Sequence, residues 1–213
     1  MNKKKTITAA VVLMLVLLVG GLVAYFTDTD EKTNTFTIGS VDITLTEPLW
    51  DQLPDTNPQN NIKDKAENMM PGDEVTKDPT INNISTKNDA YVFAKVVVPC
   101  STATTPIELF DYTPNTGWTE LTSAAVACTN GGTATHVYYY GSNNTLSKLD
   151  KAANDTTPTS TDSPVFSSVK LHSTLKSEEI PTGNKNIVVT GYGIQADGLE
   201  STVPATVWGY FSN

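Results

Sequence analysis

The 213-residue chain carries 14 Lys, no Arg and 23 acidic side chains, for a formal net charge of −9. So acidic a chain lacks the cations that neutralise phosphates, which excludes nucleic acid as a partner. Two Cys are too few for a disulfide-built mini-protein, and two His without metal-type spacing give no zinc signature. Hydrophobic residues make up 38% of the chain, enough for one core. The 33 Thr and 17 Asn favour pleated strands joined by polar turns.

The N-terminus has the layout of a secretory signal peptide. Lys3, Lys4 and Lys5 precede an apolar run from Ile7 to Val19, and small residues lead to Ala24 before the polar Thr27-Asp28-Thr29-Asp30. The short apolar region favours cleavage between Ala24 and Tyr25. The rival is an uncleaved membrane anchor, since Thr6 to Phe26 is long enough to span a bilayer. Cleavage removes three Lys and no acid, leaving 189 residues with a net charge of −12. No Cys follows the apolar region, so a lipoprotein is not expected. An exported chain is permitted a disulfide.

Phe36 to Leu45 reads as strand, but Phe36 and Ile38 alternate on even numbers while Val41, Ile43 and Leu45 alternate on odd ones. One regular strand cannot keep a single apolar face through that shift. Either a bulge sits at Gly39-Ser40, or the two halves belong to different sheets or different molecules. Pro48 to Asn68 reads as loop. Pro71-Gly72-Asp73 is a turn before a strand around Val75 to Ile81. Ala90 to Val98 leaves neither face polar, which predicts a central strand covered on both sides. Trp118 to Val126 and Thr133 to Tyr140 flank the hairpin dipeptide Asn130-Gly131. Gly141 to Pro164 reads as polar loop, in which Leu146, Leu149 and Ala153 allow one short helix. Val165 to Leu171 and Ile187 to Ala196 are further strands. Pro204 opens a short C-terminal helix carrying Val207, Trp208 and Phe211, with a strand as the alternative. Seven or eight short strands predict an all-β fold: a single antiparallel sandwich over 41–213 with long polar loops, its strand order left open between jelly roll and immunoglobulin-like.

The segment Ala24-Tyr25-Phe26-Thr27-Asp28, followed by Lys32-Thr33-Asn34-Thr35-Phe36-Thr37-Ile38-Gly39-Ser40-Val41-Asp42-Ile43, resembles the start of the TasA/camelysin (CalY) family of exported Gram-positive proteins. Met70-Pro71-Gly72-Asp73-Glu74-Val75-Thr76-Lys77-Asp78-Pro79, Gly117-Trp118-Thr119-Glu120 with Tyr138-Tyr139-Tyr140, and Gly193-Ile194-Gln195-Ala196-Asp197-Gly198 are similar to camelysin-like members in the same order. The insert Gly141 to Ser163 and the two Cys depart from that pattern. The resemblance implies processing by a SipW-type signal peptidase, a jelly-roll domain and a place in biofilm-matrix fibres. It also implies donor-strand exchange, in which residues 25–40, chiefly Tyr25, Phe26, Phe36 and Ile38, complete a neighbouring copy. The partners are then other copies of the chain, the signal peptidase during export, and accessory matrix proteins. The membrane would be reached only through an uncleaved signal segment.

Relatives carry a metallo-endopeptidase label, but this chain has no His-Glu-x-x-His, and neither His136 nor His172 has two further ligands at suitable spacing. No catalytic residue, metal ligand or cofactor is assigned. Asp28, Asp30 and Glu31 lack the glycine and distal Glu of a calcium loop, and Asp73, Glu74 and Asp78 read likewise as solvated turn acids. Asn83, Asn143 and Asn154 head chance sequons. Leu53-Pro54-Asp55-Thr56-Asn57 and Ile180-Pro181-Thr182-Gly183 lack the apolar segment and basic tail of a wall-sorting signal. Cys100 follows the strongest strand and Cys128 precedes Asn130-Gly131, which favours a disulfide over two free thiols. The first functional expectation is therefore a secreted fibre-forming structural protein. The alternatives are a cell-surface metallo-endopeptidase and a monomeric adhesin or fibre accessory subunit.

Overall fold

The computed structural model describes residues 41–51, 66, 69–182 and 185–212. The signal segment, the cleavage pair Ala24–Tyr25, the donor segment and the Gly39-Ser40 phase break lie outside these residues. The described residues fall in one compact unit, Gly39–Asn213. Its strands are β1 Ile43–Thr46, β2 Glu74–Thr76, β3 Thr80–Asn83, β4 Ala90–Pro99, β5 Phe110–Asp111, β6 Trp118–Glu120, β7 Thr133–Ser142, β8 Thr145–Leu146, β9 Thr159–Ser160, β10 Ser168–Leu171 and β11 Val188–Gln195. Two short helices, α1 Pro48–Asp51 and α2 Pro204–Trp208, complete the elements used below.

The main sheet runs in the order β11-β4-β7-β6, with β8 paired to the end of β7. Two three-stranded sheets, β1-β3-β9 and β2-β10-β5, supply the opposing layer, and every strand pair is antiparallel. This is an all-β sandwich. The core sits on both faces of β4. Val92, Ala94, Val96 and Val98 pack with Val75, Ile81, Phe166 and Val169 of the opposing layer. Tyr91 and Phe93 pack on the other face with Val137, Tyr139 and Val207. Period-two alternation thus assigns each residue to one of two dry faces, as the apolar run predicts.

The second face is closed by the C-terminal turn. Pro204 occupies the first turn of α2, where its missing N–H costs nothing. Trp208 and Phe211 then meet Phe93 at ring-centroid distances of 5.4 and 5.8 Å, and Tyr192 of β11 at 5.1 and 5.4 Å. Of the two C-terminal readings, helix is correct.

Four sequence expectations need correction. Val75 to Ile81 is not one strand: the chain breaks at Asp78-Pro79, where Pro lacks a ladder donor, and passes from the β10 partner β2 to the β1 partner β3. Trp118 to Val126 is strand only to Glu120, because Leu121 turns inward and residues Thr122–Ala124 form a 3-10 turn. Asn130-Gly131 does not close a two-residue hairpin. Gly131, at φ +63°, donates its N–H to Ser101 O, and Asn130 Nδ2 donates to the carbonyls of Thr102 and Ala103. Finally, 141–164 contains no helix. Asn143 and Asn144, both at positive φ, make the tight turn into β8, and β9 joins β3. Leu146, Leu149 and Ala152 are buried from extended chain, while Ala153 is exposed. The expected loop 48–68 also opens with the single turn α1.

Cys100, at the end of β4, is bonded to Cys128 with a Cα separation of 5.7 Å. The bond closes the excursion 101–127, which contains β5 and β6. In the chain-entropy description a loop of this length stabilises the fold by about 3.5 kcal/mol. The double substitution Cys100→Ser with Cys128→Ser should lower the unfolding free energy by roughly that amount in urea titration, without altering far-ultraviolet dichroism in native buffer.

Candidate functional site

One cleft gathers the titratable side chains. His136 projects from β7 on the same face as Tyr138, beside Val96 of β4. Glu120 stands opposite Tyr138 on β6, and so reaches His136 diagonally across the ladder. Glu108 arrives from the excursion, where an isolated bridge to Cys100 and the bond from Leu109 N to Pro99 O place its backbone outside any longer strand ladder. The Nδ1 atom of His136 lies 2.7 Å from Glu120 Oε1 and its Nε2 atom 2.8 Å from Glu108 Oε1. Tyr112 meets the imidazole edge-on at 6.1 Å, and Tyr138 donates its hydroxyl to that of Tyr112 at 3.2 Å. The cleft measures about 520 Å³ and is also lined by Asp111, Cys128 and His172. His172 Nε2 stands 3.8 Å from Asp111 Oδ1, and its Nδ1 accepts from Thr174 N.

These contacts set the protonation states. The hydrogen bond to Glu108 raises the pKa of His136 to about 9; burial opposes the shift, and the bond to Glu120 and the two carboxylate charges reinforce it. At neutral pH, below that value, both ring nitrogens carry hydrogen and the group is an imidazolium clasped by two carboxylates. Burial pushes Tyr138 up to about 12 and Tyr112 higher still.

A second feature is a sheet edge. β11 pairs with β4 on one side, and among the described residues no strand pairs with its other side. Next to its start lies an apolar groove of about 430 Å³, formed by Val75, Phe110, Val169, Ile187, Val188 and Val189, with Lys77 and Lys185 also lining it. Gly191 and Gly193 let β1 close against the inner face of β11. A Cβ at Gly193 would stand 2.8 Å from Ile43 Cγ2.

Of the residues singled out by sequence, Cys100 and Cys128 are joined, whereas Tyr25, Phe26, Phe36 and Ile38, like Asp28, Asp30 and Glu31, lie outside the described residues. The remaining acids have separate partners. Asp73 accepts from Met70 N, Glu74 from the Ser168 hydroxyl and Asp78 from Leu49 N. The Asn83 side chain is wholly buried and donates to the carbonyls of Asn88, Leu149 and Asp150, so it is no glycan acceptor in the folded domain. Glu108, Tyr112 and Glu120 escaped sequence reasoning. Only alternation along β7, which puts His136 on the face of Tyr138, signalled any part of the cleft.

Residues 2–102 match the family described as camelysin metallo-endopeptidase. No curated protein and no solved structure matches the chain. A catalytic zinc needs imidazole lone pairs and an open coordination position. His136 offers no lone pair while both nitrogens face carboxylates, and among the described residues no three His, Cys, Asp or Glu side chains converge as a metal set. Both cysteines are oxidised, so no thiolate nucleophile is present either. The residues in this cleft do not fit the metal that the family description implies.

Because the folded pKa of His136 lies above its ordinary 6.5, its stabilising contribution is fully present below pH 6.5 and is lost as pH rises through about 9. The unfolding free energy of the wild type should therefore fall between pH 7 and 10, and that of His136→Gln should fall less over the same interval. Urea titrations at matched ionic strength provide the comparison.

Proposed function

We propose that the chain, a member of the TasA/camelysin family, is an exported structural protein of the cell surface or extracellular matrix that polymerises through its N-terminal segment Tyr25–Ile38. One observation carries this reading: the outer edge of β11, eight residues long and without a partner strand among the described residues, beside an apolar groove that continues between the two layers. An unpaired edge is a template for a further strand, and an extended segment added there gains main-chain hydrogen bonds while its alternate side chains fill pockets. Phe36 and Ile38 supply such alternate apolar side chains, out of register with Val41, Ile43 and Leu45 of the same chain. Asp28, Asp30 and Glu31 give the segment a net negative charge, complementary to Lys185 at the groove; Lys77 there is ion-paired with Glu47. The partner is thus another copy, with the signal peptidase acting earlier to free Tyr25. Accessory matrix proteins would join through the same edge.

The family description favours a second reading, a metallo-endopeptidase. It requires chelator-sensitive cleavage of a general protein substrate by the purified mature chain. The structural reading expects none.

Deleting Tyr25–Ile38 from the mature chain should leave a domain with unchanged β-type dichroism that forms no fibres in electron micrographs. Val188→Asp, at a half-exposed edge position, should slow fibre growth of the otherwise complete chain at least about tenfold by placing a charge where a strand must dock. Unfolding of the truncated chain would make the segment an integral strand. Fibres from it would place the donor elsewhere.

A further inference from the structure

We propose that Glu108, His136 and Glu120 form a proton-operated latch that keeps the Glu108 limb of the excursion 101–127 closed over the Cys100–Cys128 disulfide and releases it in alkali. The latch ties the Glu108 limb of the excursion to the β6–β7 pair, which supplies Glu120 and His136. Cys100 is fully buried, and the half-buried Cys128 lines the same cleft as Glu108, Glu120 and His136.

The mechanism is one of proton counting. An imidazolium donates from both nitrogens and satisfies both carboxylates. Losing one proton leaves a single donor, and the second nitrogen then turns a lone pair toward a carboxylate oxygen less than 3 Å away. Two acceptors at that distance repel, so one carboxylate must leave. Glu120 is held in the β6–β7 ladder. Glu108 sits on the excursion, secured there by the disulfide end and by a few backbone bonds, among them Leu109 N to Pro99 O and Ser101 N to Ile107 O. The Glu108 side therefore yields.

The other groups facing His136 do not take over its role. Tyr112 and Tyr138 are pushed up by burial, so their hydroxyls stay neutral while His136 loses its proton. Val96 of β4 lies behind the ring and carries no charge. Asp111 of β5 and His172 just after β10 line the far part of the cleft and face each other at 3.8 Å. His136, with its pKa raised to about 9, therefore loses its charge between neutral pH and pH 10.

The test is the rate at which the mature protein's disulfide is reduced by a water-soluble phosphine, divided at each pH by the rate for oxidised glutathione. In the wild type the normalised rate should rise at least about tenfold between pH 7.5 and 10, with a midpoint near that of the His136 ring followed by carbon-13 NMR. His136→Gln has no proton to lose and should be reduced quickly at both pH values. Glu108→Gln can turn its amide to donate to the neutral imidazole, so it should stay latched, slow and independent of pH. Far-ultraviolet dichroism at both pH values identifies any variant that has unfolded, and the NMR midpoint and wild-type rates then decide alone. A flat wild-type profile overturns the proposal, as does a folded Glu108→Gln that accelerates as the wild type does.

Discussion

The architecture depends on one demand: β4 must be kept dry on both faces. A ten-residue strand with Val92, Phe93, Ala94, Val96 and Val98 wholly buried cannot sit at the surface of a two-layer fold without a third cover. The first face recruits the two small sheets, neither of which has more than three strands and neither of which closes the core alone. The second face recruits α2 and the aromatic cluster of Tyr192, Trp208 and Phe211. Burying a side chain of this size contributes about 1.5–3 kcal/mol, so leaving either face uncovered would forfeit several such contributions at once.

The same strand also organises the chemistry. Its end at Pro99 and Cys100 is where the chain leaves the main sheet, and the disulfide returns the excursion to the approach of β7. The excursion then lies against the His136 face and brings Glu108 and Tyr112 beside a strand they do not pair with. Two carboxylates around one imidazole are a poor design for hydrolysis, since the ring has neither a lone pair to accept a proton nor one to hold a metal. They are a good design for holding the Glu108 limb of the excursion against the β6–β7 pair.

At the opposite side of the main sheet the emphasis reverses. β11 carries Gly191 and Gly193 where other positions would carry large side chains, and this lets Ile43 of β1 fill the space. The strand is thereby well packed on its faces, with Tyr192 and Ile194 under the C-terminal helix, yet its outer edge has no partner strand among the described residues. The strand is packed mainly over its later residues, while Val188 at its start is half exposed.

The sequence by itself determined the strand identity of β4, β7 and β11, the double burial of β4 and the all-β class, and it favoured helix over strand at Pro204. Each follows from period-two patterning or from a residue with a fixed backbone preference, which are local properties. The turn at Asn143-Asn144 was equally local, although its composition read as featureless loop. Tertiary structure alone decided that Val75 and Ile81 belong to different sheets, that Asn130-Gly131 braces the excursion instead of closing a hairpin, and that Glu108 and Glu120 clasp His136. Residues 28 and 16 positions away meet an imidazole only after β4, β6 and β7 have aligned, and no spacing along the chain encodes a contact whose geometry is set by tertiary packing.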